Sequence, residues 1–183
     1  MNSRALLGLA LIAGCARPHL DAPPASLQRL SPELQAGVSR LRAATKPYLV
    51  LDSAVAAGYA PKVAACLVHE HHGAMGYHHN NPALADAKVE VERPEILLYE
   101  RMPDGTYRLN GVEYVVPYRA WPRDSAPPML MGMKMKREDN LKIWYMHAWA
   151  WSENADGMFA DFNPNVKCAA DSRVFRPYEA PPP

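Results

Sequence analysis

The sequence predicts an α+β fold: N-terminal helices packed on an antiparallel meander β-sheet, with partial closure into a barrel as a variant. Three observations carry this. Helix signals are confined to residues 31–58. Beyond Lys62 the apolar pattern changes to strand-like runs. A hairpin signal, Pro103-Asp104-Gly105-Thr106, joins two of those runs, as between antiparallel neighbours.

The elements follow in order. Ser31-Pro32-Glu33 is a helix start: a capping Ser, Pro at the first helical position and an acid in the first turn. Leu34, Val38 and Leu41 follow at helical spacing. Pro47 interrupts and opens a second helix, which Gly58 caps. Val63 to Val68 reads as an apolar strand. Glu95–Met102 and Tyr107–Tyr118 are β-rich runs on either side of the hairpin signal. Met129–Met135 alternates Met with other residues, Asn140–Trp151 is aromatic and β-prone, and Gly157–Lys167 reads as loop.

Composition bounds the function. A chain of 183 residues suits one domain with a sizeable core. Twenty basic and 19 acidic side chains leave a formal charge of +1, which argues against a nucleic-acid partner and against an acidic disordered chain. Proline, at 18 residues, gathers mainly at the termini and loop joints. Histidine does not: five of seven fall between His69 and His79.

The N-terminus reads as an address. One positive charge at Arg4 precedes an uncharged run, Ala5–Ala13, too short to span a bilayer but suited to a signal peptide. Ile12-Ala13-Gly14-Cys15 resembles the lipobox of bacterial lipoproteins, in which the Cys is lipidated and the chain is cut before it. The plainer alternative is a secretory signal with a chance Cys. The resemblance implies a signal peptide over 1–14, lipid attachment at Cys15 and a membrane partner held through that anchor. Ala16 is not the Asp of an inner-membrane retention signal, so the expected location is the outer membrane, facing the periplasm. Residues 15–30 then form a lipid-anchored Pro/Ala-rich spacer, 31–176 a single globular domain and 177–183 a disordered tail. With Cys15 assigned to lipid, Cys66 and Cys168 remain, and in an oxidising compartment they are expected to pair.

His69-Glu-His71-His72-Gly73-Ala-Met75-Gly76-Tyr-His78-His79 is the stretch richest in chemistry. Imidazole is the commonest protein metal ligand. If 66–72 is a strand, His69 and His71 share a face, and a turn at Gly73–Gly76 returns His78 or His79 towards them. A solvated His-rich loop explains the same residues without a metal. His147, in the row Ile143, Tyr145, His147, Trp149, is either a packed core histidine or the distant ligand that closes a site. Glu100 and Glu113 are the strand carboxylates available to complete one. Glu113 lies among Val112, Tyr114, Val115 and Val116, where an unpaired charge is costly. A strand over Met129–Met135 points four thioethers one way, either as a core face or as soft ligands for copper. There is no phosphate loop, haem-attachment motif, serine elbow or redox Cys-x-x-Cys.

Gly73-Ala-Met-Gly-Tyr-His78, Pro94-Glu-Ile-Leu-Leu-Tyr-Glu100, Val112-Glu-Tyr-Val115, His147-Ala-Trp-Ala-Trp151 and Gly157-Met-Phe-Ala-Asp-Phe-Asn-Pro164 through Cys168 together resemble a family of small exported bacterial proteins of unknown function. The resemblance covers about half of residues 66–168 and brings no mechanism. It matches His78, Glu113 and His147, but not securely His69, His71, His72 or His79, nor the Met129–Met135 row. It therefore implies a constellation of His78, His147 and Glu113, while His69 and His71 stay as second-rank ligands from the strand-face reading of the histidine stretch. Two His and one carboxylate suit a divalent metal, zinc, iron or copper. Three functions remain open: a small polar pocket binding a divalent metal or small ligand, a metal-dependent enzyme activating water or oxygen, and a metal-free structural or interaction lipoprotein of the envelope.

Overall fold

The computed structural model describes residues 22–61 and 65–175. The signal peptide, Cys15 and the 177–183 tail lie outside the described residues, as does Val63 at the start of the first predicted strand. Among the described residues no helix is long and apolar enough to cross a membrane.

Helix α1 spans Pro32–Thr45, as its capping signal predicts, with Ser31 Oγ accepting the Leu34 N–H at 3.3 Å. The second predicted helix is divided. A 3-10 turn over Lys46–Leu49 is followed by extended Val50 and then α2, Leu51–Ala56. Gly58 takes φ 98 beyond it, the left-handed turn of a C-cap. Structure also begins within the predicted spacer. Ala25–Arg29 forms a 3-10 turn, held because Glu153 accepts the Ser26 N–H and the Arg29 guanidinium, both at 2.9 Å.

The strands are β1 (Cys66–His69), β2 (Gly73–Asn80), β3 (Ile96–Arg101), β4 (Tyr107–Pro117), β5 (Met129–Leu130), β6 (Met133–Lys134), β7 (Lys136–Glu138), β8 (Ile143–Ala148) and β9 (Val174–Phe175). Seven form one curled sheet, a half-barrel ordered β7-β8-β4-β3-β2-β1-β9. Its pairs are antiparallel except β1–β9. The meander expectation holds from β1 to β4. It fails at β4, whose outer neighbour is β8, the later aromatic strand. The fold is thus mostly sheet with a small helical part.

Each strand alternates between two faces. Leu97, Val112, Tyr114, Trp144 and Met146 enter a buried cluster that also contains Val38, Leu41 and Ala54 of the helices. Ile96, Glu113, Val115, Ile143, Tyr145 and His147 line a cavity with His78. Cys66 and Cys168 form a disulfide, as the cysteine count predicts. It spans 102 residues of sequence, and the chain-entropy model gives about 4–5 kcal/mol for a loop of that size.

The methionine row is not one strand. Met131 (φ 50) and Gly132 (φ 77) make a tight turn, and β5 pairs with β6 across it. The four thioethers therefore do not share a face. Met129 is 50% exposed and Met135 is buried. Met131 packs against α1, where a Cβ on Gly37 would fall 2.6 Å from its sulfur. The row offers no common copper site.

Candidate metal centre

The histidine stretch folds differently from its simplest reading. β1 stops at His69, and residues 70–72 make the turn into β2. Gly73 and Gly76 do have positive φ, 81 and 82, but both lie within β2. They serve close backbone approach: a Cβ would run into Asn163 O at Gly73 and into Tyr99 O at Gly76. Val68 pairs with Ala74 and Leu67 with Gly76, so Met75 is an extra residue. That bulge lets Met75 and His78, three apart, line the same cavity.

Because the turn comes early, His69 and His71 are not ligands of this centre. His69 Nδ1 accepts the His71 N–H at 3.1 Å, and its ring lies against His72 and Phe162. The His71 side chain is exposed. His79 points to the opposite face from His78, packs on Tyr99 and has Nδ1 2.6 Å from Ala60 O. Glu100 is also elsewhere. It accepts from Arg108 at 2.5 Å and from the Lys167 N–H at 3.0 Å, which ties the late loop to the sheet.

His78, Glu113 and His147 do converge. Glu113 and His147 are direct cross-strand partners on β4 and β8. His78 comes from β2, with β3 between. One donor atom from each of the three lies within 4.8 Å of the others. His78 Nε2 is 3.4 Å and His147 Nε2 3.8 Å from Glu113 Oε2. Donors 2.0–2.1 Å from a tetrahedral zinc stand about 3.3 Å apart, so the spacing is close to that of a ligand set. His147 is 1% and Glu113 7% exposed. His147 is a fully packed residue stacked on Trp149 and, at the same time, a member of the cluster that could hold a metal.

The electrostatics fit a cation. Burial, reinforced by His147, pushes the His78 pKa down to about 3, leaving the neutral imidazole that ligates metals. Burial also raises the Glu113 carboxyl, outweighing the nearby His147, while Asp161 adds to the rise. Among the described residues, no Lys or Arg lies within ion-pair distance of Glu113; its partners are the two histidines. His78 Nδ1 and both ring nitrogens of His147 are buried without a hydrogen bond. Buried polar atoms seldom go unsatisfied in folded proteins.

Asp161 is the residue that sequence reading missed. Its Oδ1 lies 3.5 Å from His147 Nδ1, an electrostatic contact rather than a formed hydrogen bond, and it also pairs with Lys136 at 2.6 Å. Burial opposes ionisation of Asp161, but His147 and Lys136 outweigh it and hold the carboxyl at about 2. With Asp161 beside Nδ1 and Nε2 turned towards Glu113, His147 has the arrangement of a metal-ligating histidine backed by a carboxylate. The only sequence signal was an acid inside the Gly157–Pro164 block, read there as loop.

No family model, curated protein or solved structure matches this chain. The case for a function therefore rests on the site itself. The cavity beside the cluster measures about 390 Å³. It is polar at the His–Glu end and at its rim, where Glu138 and Asn140 stand, and apolar between, along Leu67, Met75, Ile96, Val115 and Ile143.

Proposed function

We propose that this is an exported, lipid-anchored protein of the cell envelope whose sheet binds a divalent metal through His78, Glu113 and His147. One observation carries the metal: donors of half-buried His78 and of buried Glu113 and His147 lie within 4.8 Å of one another, the His147 ring makes no hydrogen bond, and among the described residues no Lys or Arg balances the carboxylate. Three protein ligands beside a cavity leave a coordination position open, as in catalytic rather than structural zinc sites. That open position favours a second reading, a metal-dependent enzyme acting on water or oxygen. Membership in the family of small exported proteins, the lipid at Cys15 and helices as the rigid backing of the sheet belong to the same proposal.

The test is metal analysis of protein purified without a His tag, wild type beside His78→Ala. About one zinc, iron or copper per wild-type chain, lost in the variant, is the expected result. Less than a tenth of a metal per chain, even after incubation with all three ions, overturns the reading.

A further inference from the structure

We infer that the cavity takes a monoanionic amphiphile, an unbranched fatty carboxylate of medium length, with its carboxylate at the open metal position and its tail along β8. The inference rests on the metal reading above and adds the class of ligand.

Shape comes first. At about 390 Å³ the cavity is within the usual size of small-molecule sites, roughly 300–1,000 Å³. Alternate residues grade its depth: Leu141 is 69% exposed at the rim, Ile143 is half-buried, and Tyr145 and His147 are buried. From Ile143 to His147 is four strand steps, about 13 Å. Between rim and ligands the wall is apolar, so the occupant's middle is hydrocarbon.

Charge selects the head. A divalent ion, the Glu113 carboxylate and two metal-bound neutral imidazoles sum to one positive charge, to which the Asp161–Lys136 ion pair beside His147 adds none. Leaving that charge uncompensated is costly. A single anionic head cancels it; a neutral alcohol does not. A second anionic group on the same chain would find no Lys or Arg among the residues that line the cavity. The site therefore selects one acid group on one tail.

Calorimetry on the full-length protein tests this. Zinc alone is titrated first. Acetate, hexanoate, octanoate, octanol and octanedioate are then titrated into zinc-loaded and chelator-stripped protein. Octanoate is expected to bind the zinc-loaded form, each methylene from hexanoate upward tightening binding about fourfold, the equivalent of about 0.8 kcal/mol. Octanol and octanedioate are expected to bind at least tenfold more weakly, as is octanoate to stripped protein. Leu141→Glu, at the exposed rim, should weaken octanoate at least tenfold. Zinc binding with octanoate no tighter than acetate overturns the ligand inference and leaves the metal reading standing. Equal octanoate affinity with and without zinc likewise overturns it. Failure to take up zinc overturns the metal reading itself.

Discussion

Glu95 shows how a single buried acid writes pH into stability. Its Oε2 accepts the Val115 N–H at 2.8 Å, yet burial dominates and lifts its pKa to about 7. The sign follows from linkage. Below the unfolded value near 4.5 both states hold the proton and stability is full. As pH rises towards 7, the unfolded chain releases the proton while the folded chain keeps it, so stability falls. Above 7 the loss is complete, on the order of 3 kcal/mol. Gln keeps an acceptor for Val115 and has no charge to bury. Glu95→Gln is therefore expected to raise Tm at pH 8 by several degrees and to change it little at pH 5, measured with chelator present. An equal drop at both pH values would contradict this. At the residue scale, much of the site was legible. His78, Glu113 and His147 stood out through the blocks that carry the resemblance and through an acid set among β-branched residues. Asp161 did not, because only the folded loop brings it beside His147.

At the scale of elements, local signals were read well and non-local ones poorly. Capping at Ser31 and the turn at Pro103–Thr106 depend on adjacent residues, and both appear. The pairing of β4 with β8 joins Glu113 to His147 across 34 positions, and nothing in either segment announces it. The methionine row misled because its period of two continues straight through a turn, with Met131 itself at positive φ. Gly73 and Gly76 misled in the opposite way: left-handed residues suggested a turn but permit close packing inside β2. Two glycines with the same φ of 82 separate these effects. Gly105 has open space where a Cβ would go, whereas at Gly76 it meets Tyr99 O. Gly105→Ala is expected to cost about 1 kcal/mol, from backbone strain alone. Gly76→Ala should cost at least about 2 kcal/mol more, and should weaken zinc binding because the bulge directs His78. Chemical denaturation of both variants decides it; equal costs would contradict the packing role.

For the whole molecule, the disulfide and the centre act on the same sheet from different ends. Cys66 and Cys168 fasten β1 to the late loop, and that loop carries Asp161 to His147. Such a bridge suits an oxidising compartment, in keeping with the proposed export. Lipid attachment at Cys15 is tested by fractionation. Cys15→Ser is expected to move the protein from the membrane to the soluble fraction, and a variant that stays with the membrane contradicts the anchor. The central claim is that one ion is held by two imidazoles and a carboxylate. X-ray absorption at the zinc edge of loaded protein reads that shell directly. Two imidazole ligands with oxygen donors and no sulfur are predicted, with this shell lost in His147→Ala as the zinc is lost. A sulfur-containing shell, or one unchanged by His147→Ala, would contradict the account.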